Sequence, residues 1–294
     1  MATTATLRAS AVLAAFFVLT LPLMPVQAVL LRVSERSARR FPHWYHRQVC
    51  RILGLTLKVD GAVAQDAPVL LVCNHTSWLD IPVLSALAPV SFVAKLEVGG
   101  WPFVSALARL QRSVFVDRTR RQAAGDAANE IMARLEKGDT IVLFAEGTSS
   151  DGNRVLPFKT SLFGAVISED APPRAPVVVQ TAAVVYTHVC GIPVTRADRP
   201  KFGWYGNMEM TSHAWGVLKS GPITVTIKVG RPVLLTDFSG RKDLALKSER
   251  AIRRAVIGIL RGRPDDPGLV PVEPPEESRR KKLALPHPKS EKWT

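Results

Sequence analysis

His75 and Asp80, held in Asn74-His75-Thr76-Ser77-Trp78-Leu79-Asp80, are the residues best suited to chemistry. An imidazole takes up a proton near neutral pH. A carboxylate on its other nitrogen fixes the tautomer and raises the basicity, which is what a general base needs. Side chains five positions apart on one regular helix point about 140° away from each other. The two can therefore meet only if His75 stays on a strand-to-helix turn while Asp80 lies in the first turns of the helix. Thr76 or Ser77 is the expected N-cap of that helix. A structural histidine satisfied by a neighbour is the other reading of this spacing.

Two further segments carry candidate groups. Phe115-Val116-Asp117-Arg118 ends in a permanent cation, and Arg118 could clamp a phosphate or carboxylate with two hydrogen bonds. A surface ion pair with Asp117 or a helix cap is the simpler account of that piece alone. Phe144-Ala145-Glu146-Gly147-Thr148-Ser149-Ser150 places a carboxylate before a polar loop whose free N–H groups can hold a ligand oxygen or cap a helix. All three segments follow candidate strands, and ligands of open α/β sheets bind outside the carboxyl ends of the strands.

The elements that must position them alternate. Short Val- and Ile-rich runs predict strands at Val69–Cys73, Ser91–Ala94, Ser113–Val116, Thr140–Phe144, Val177–Tyr186 and Thr224–Val229. Most lack polar alternation, so both sheet faces should be covered. Helices are predicted at Leu79–Leu87, Pro102–Leu110, Arg120–Lys137, Leu162–Ser168 and Arg241–Leu260. In Arg120–Lys137, Ala124, Ala128, Ile131 and Leu135 form one stripe and Gly138 supplies a stop. The fold class is α/β: a single domain over residues 41–262, with a mostly parallel central sheet flanked by helices.

Residues 1–40 form the expected membrane anchor. Ala9 to Leu31 holds no charge and is long enough to cross a bilayer core as a helix. Pro22 and Pro25 leave open a kinked span or a helix-turn-helix lodged in one leaflet. A cleaved signal peptide ending near Ala28 is the rival. Six arginines crowd the downstream side (Arg32, Arg36, Arg39, Arg40, Arg47 and Arg51), which favours a retained anchor with the following domain in the cytoplasm. Residues 263–294 are rich in proline and mixed charge, and read as a disordered basic tail.

The net charge of +14 calls for an acidic partner: nucleic acid, an anionic membrane or an acidic carrier protein. No stretch interleaves Lys/Arg with aromatics, so a nucleic-acid partner is not expected. Cys50, Cys73 and Cys190 are too few and too scattered for a disulfide framework or a zinc site, and read as buried small hydrophobes. Neither metal nor cofactor is expected. The nucleophile elbow, the phosphate-binding loop and the dinucleotide turn are all missing from the sequence.

Taken together and in this order, Asn-His-x-x-x-x-Asp, Phe-Val-Asp-Arg and Glu-Gly-Thr resemble the lysophospholipid acyltransferases of the glycerol-phosphate acyltransferase superfamily, from about Trp44 to Leu260. The resemblance implies an acyl thioester and a lipid hydroxyl meeting over an α/β sheet. His75 would deprotonate the hydroxyl and Asp80 would orient His75. Arg118, Glu146, Gly147, Thr148 and Ser149 would bind the acceptor. Phospholipid-making members carry Pro and Arg where this chain has Ala145 and Ser149. The lost arginine should weaken phosphate recognition. GTSSDGNRVLPFKTSLFGA and WYGNMEM look like the bacterial branch that acylates the 3-hydroxyl of lyso-ornithine lipid. In that branch the donor is an acyl carrier protein and the location the inner membrane. Apart from the resemblance, the Arg118 cation could hold the ornithine carboxylate. Two rivals are a 1-acylglycerol-3-phosphate acyltransferase making phosphatidic acid and a non-catalytic basic membrane adaptor.

Overall fold

The computed structural model describes residues 2–65, 67–95, 101–116, 121–164 and 176–262. Two helices open the chain, α1 (Ala2–Val33) and α2 (Glu35–Leu53). There follow β1 (Leu55–Asp60), β2 (Val69–Cys73), α3 (Asp80–Ser85), β3 (Val90–Lys95), α4 (Pro102–Leu110) and β4 (Val114–Val116). Next come α5 (Arg121–Glu136), β5 (Thr140–Phe144), α6 (Thr160–Phe163), β6 (Val178–Val189) and β7 (Ile192–Pro193). The series closes with α7 (Met210–Ser220), β8 (Ile223–Val229), β9 (Val233–Leu234) and α8 (Arg241–Leu260).

The sheet runs β1-β8-β6-β2-β5-β3-β4, with β7 and β9 also paired to β6. All neighbours along that path are parallel except β6 and β8. The α/β architecture with a mostly parallel sheet is thus as the sequence implies. β2 is apolar and buried at every residue because both of its faces are covered. Val69, Leu71 and Cys73 enter the layer containing α2, α3 and α7, while Leu70 and Val72 enter the layer containing α5, α6 and α8. Emptying one such position, as in Leu71→Ala, costs about 2–5 kcal/mol. In α5, Ile131 and Leu135 are buried, and Gly138 at φ +83 ends the helix by returning its N–H to the Leu135 carbonyl.

α1 is one continuous helix through Pro22 and Pro25, and the chain turns at Ser34, whose hydroxyl accepts the Ser37 N–H. It lies along the body instead of standing away from it. The Arg8 guanidinium donates to the Leu218 carbonyl at 2.6 Å, and Thr20 shares a 2.7 Å hydrogen bond with Tyr45. Buried Gln27 donates to the Ala38 and Leu110 carbonyls at 2.9 Å. The outer side, with Leu13, Phe17, Val18, Leu21 and Val29, is exposed, and Thr3–Val33 is long and apolar enough to cross a membrane. The break between the first two helices is at Ser34, and residue 40 lies within α2. Its C-terminus closes on Gly54 at φ +72.

Two expectations change, and others fall on residues that are not described. Thr76 and Ser77 do not cap α3, whose N-cap is Leu79 without a side-chain bond. Cys190 is exposed, in the turn between β6 and β7 at φ +50, while Cys50 and Cys73 are buried. The helix expected at Leu162–Ser168 is described only as α6, capped at Gly164, and residues 165–168 lie outside the described residues, as do Arg118 and the tail from residue 263.

Candidate active site

β2 and β5 pair in parallel with Cys73 opposite Phe144, so the segments that follow them leave the sheet side by side. Asn74 fastens the first segment sideways. Its amide donates to the Val184 carbonyl at 2.9 Å and its oxygen accepts the Val184 N–H at 2.8 Å, on β6. Glu146 fastens the second segment to the first. One carboxylate oxygen accepts the His75 N–H at 2.8 Å and the other accepts the Leu156 N–H at 2.7 Å. The Ser150 N–H returns to the His75 carbonyl at 2.9 Å. His75 thus has its backbone pinned on both sides before its side chain does anything.

The imidazole lies on the Phe144 ring, centroids 4.0 Å apart and planes 20° apart, with Phe92 stacked beyond. Nδ1 meets the Asp80 Oδ2 at 2.9 Å. Asp80 is fully buried and four hydrogen bonds converge on it. Oδ2 also accepts the Thr76 N–H at 2.7 Å and the Ser77 N–H at 2.9 Å, and Oδ1 accepts the Tyr186 hydroxyl at 2.6 Å. The backward reach of this carboxylate explains the missing hydroxyl cap: the amides preceding α3 bond to Asp80. The His75 side chain keeps 19% of its exposure, and Nε2 has no hydrogen bond among the described residues. The expected meeting of turn histidine and helical aspartate is therefore present, and Nε2 is the nitrogen it leaves open.

Electrostatics follow from burial. Glu146 is pushed up to about 7, chiefly by desolvation. Its two backbone N–H partners and the Arg253 charge oppose that shift, while the Asp80 charge adds to it. The Tyr186 phenol is held well above its usual value by burial and then by the Asp80 charge, so it stays a donor. Gly147 takes φ +70 to turn the chain, with its N–H on the Phe144 carbonyl. Thr148 is exposed at the tip, and the Ser149 hydroxyl donates to the Trp204 carbonyl. The structure thus gathers His75, Asp80, Glu146, Gly147, Thr148 and Ser149 at one sheet edge; Arg118 lies outside the described residues. Sequence reasoning missed Tyr186. Its one signal was a tyrosine, among only three in the chain, closing an apolar strand.

A profile of the acyltransferase family matches residues 56–184, a stretch that holds both segments and Val184 of β6, which braces Asn74. The chain belongs to this family and is an enzyme of lipid acyl transfer. It is 45% identical over 261 residues to a lyso-ornithine lipid O-acyltransferase of Brucella abortus, covering 88% of this chain and 97% of that one. It is 43% identical to another of that name in Rhizobium meliloti, covering 83% and 84%. The fold matches the crystal structure of a 1-acyl-sn-glycerophosphate acyltransferase from Thermotoga maritima with a TM-score of 0.61, at 24% identity over 87% of this chain and 95% of that one.

Proposed function

We propose that the chain is a lyso-ornithine lipid O-acyltransferase that uses an acyl carrier protein thioester as donor. The carrying observation is the chain of groups Tyr186–Asp80–His75, which leaves one imidazole nitrogen open at the sheet edge. Nε2 takes the proton of the acceptor 3-hydroxyl as the oxygen attacks the thioester carbonyl. The C–S bond then breaks, and the departing thiolate takes the proton back from the imidazolium. No covalent acyl-enzyme is required. Asp80 holds Nδ1–H and balances the transient charge. Glu146 sets the His75 backbone, while Gly147, Thr148 and Ser149, with Arg118, shape the acceptor side.

Support for the acceptor comes from relatives matched over most of their length and from Ser149, whose hydroxyl brings no charge for a phosphate. Support for an acidic carrier comes from α8. Its exposed Lys242, Arg250, Arg253 and Arg254 share a basic face, with Arg253 paired to Glu249, on the layer opposite α1 and α2. A soluble protein can reach that face while α1 is engaged with lipid. We place the enzyme at the bacterial inner membrane with residues 41–262 on the cytoplasmic side, consistent with the arginines after α1. Residues 263–294 are proposed as a basic tail.

The test is direct. Membranes containing the chain are incubated with acyl carrier thioester and either lyso-ornithine lipid or 1-acylglycerol-3-phosphate. Consumption of lyso-ornithine lipid is expected. Exclusive formation of phosphatidic acid overturns the acceptor, and transfer only from acyl coenzyme A overturns the donor.

A further inference from the structure

A cleft beside the catalytic loop contains cations that the acyl-transfer step does not use. Asn74 and Thr76, the neighbours of His75, line it with Tyr186, Arg154 and Arg199. Arg199 begins a short 3-10 turn, Arg199–Lys201, in a segment fastened to the site. The Trp204 N–H donates to the Thr76 carbonyl at 2.8 Å, and Trp204 in turn accepts the Ser149 hydroxyl. Gly152 lets the loops nest. A Cβ there would lie 3.2 Å from the Thr76 Cγ2 and 3.7 Å from the Arg199 Cβ.

The guanidinium is only partly satisfied. One terminal nitrogen donates to the Asn153 side-chain oxygen at 3.0 Å, while Nε is buried without a partner among the described residues. Asp151 is the nearby acid, but both its oxygens accept from Asn153, through the backbone N–H and the side-chain amide. Arg154, exposed on the same cleft, adds a second positive charge. A permanent cation with a buried, unpaired N–H is costly unless an oxyanion completes it, and the planar fork of a guanidinium matches a carboxylate.

We infer that Arg199, assisted by Arg154, binds the carboxylate of the acceptor headgroup and thereby sets the acceptor hydroxyl at His75. The inference rests on the acceptor reading given above. In a 3-hydroxyacyl amide of an α-amino acid the hydroxyl and the carboxylate are separated by a short chain, roughly 8 Å when extended. Thr76 follows His75 directly and lines the cleft, so the cleft borders the loop that carries the base. Arg199 acts on the headgroup and touches none of the reacting atoms.

The experiment compares lyso-ornithine lipid with its carboxyl methyl ester, which lacks the negative charge. Wild type should lose about ten- to hundredfold in kcat/KM on the ester, as expected for charge-assisted hydrogen bonds. Arg199→Gln should lose a similar factor on the free acid, through KM, and show little further loss on the ester. Arg199→Lys should recover part of the preference. A clamp that merely holds Asn153 would lower both acceptors alike, because it does not sense the ligand's charge. Arg154→Gln changes an exposed side chain and serves if Arg199→Gln melts early; it should narrow the preference too. The inference is overturned if wild type does not distinguish the two acceptors, or if the variants keep the full preference. It is also overturned if Arg118→Gln alone abolishes the preference. Should wild type acylate only 1-acylglycerol-3-phosphate, the acceptor reading fails separately. A raised KM for that phosphate in Arg199→Gln would then still support an oxyanion site, and an unchanged KM would reject it.

Discussion

Replacing Asp80 by Asn separates charge from geometry at the centre of the site. The carboxylate receives the His75 Nδ1–H, the Thr76 and Ser77 N–H groups and the Tyr186 hydroxyl. An Asn that keeps its oxygen at the Oδ2 position still accepts the first three. Its NH2 then faces Tyr186, whose hydroxyl can rotate to accept, so the fold should survive with a loss of about 1–3 kcal/mol. The charge, however, is gone. In the proposed step, when Nε2 takes the substrate proton, the imidazolium forms with its Nδ1 at 2.9 Å from a neutral amide instead of a carboxylate. At an effective dielectric constant near 20, two unit charges about 4 Å apart attract by about 4 kcal/mol. That is about three powers of ten in rate, so kcat should fall about 10²- to 10⁴-fold while the acceptor KM moves little. The assay is steady-state transfer of a labelled acyl group by purified protein, with a thermal melt in parallel. An Asp80→Asn protein that keeps its fold and more than a third of wild-type kcat refutes the reasoning.

Tyr186→Phe removes a donor from a buried carboxylate, and should lower stability by about 1.5–3 kcal/mol in denaturant unfolding, with a smaller loss of kcat than Asp80→Asn. Glu146 brings a pH dependence of known sign. Its folded value of about 7 exceeds the ordinary 4.5, so between those pH values the native chain keeps a proton the unfolded chain has lost. Stability should therefore fall as pH rises through that window, by roughly 3 kcal/mol, and Glu146→Gln should remove that slope. Unfolding curves at pH 5 and pH 8 check this, and equal slopes for the two proteins would contradict it. Reversing charge on the basic face of α8, as in Arg250→Glu with Arg254→Glu, should raise KM for acyl carrier thioester severalfold and flatten its salt dependence, leaving acceptor KM unchanged.

The parts of the site legible in the sequence are those written in one short segment. The spacing from His75 to Asp80 already required a turn followed by a helix, and the polar loop after Phe144 already required a strand end. What the sequence hid depends on distant partners. Tyr186 looked like one more apolar strand residue, because its hydroxyl serves a carboxylate 106 positions earlier. Arg199 and Trp204 close over the loop from a segment with no periodic signal, held by contacts to Asn153, Ser149 and Thr76. α2 was missed because its arginines read as a flank of the anchor, although its buried Ala38, Pro42, Val49, Cys50 and Leu53 give it an inner face. β1 carries a visible alternation, Leu-Thr-Leu-Lys-Val-Asp, but at the sheet edge it is half exposed and lacks the continuous apolar run that marked the other strands. The antiparallel step between β6 and β8 has no local signature, since register and direction are set by the connection between them.

The account depends most on the proton taken by His75, and one measurement reaches it. Purified His75→Ala, shown to melt with wild type, is assayed for acyl transfer from carrier thioester to lyso-ornithine lipid under single-turnover conditions. Loss of general-base assistance predicts a rate constant about 10²- to 10⁴-fold below wild type with acceptor binding retained. A folded His75→Ala protein transferring acyl groups at the wild-type rate would contradict it.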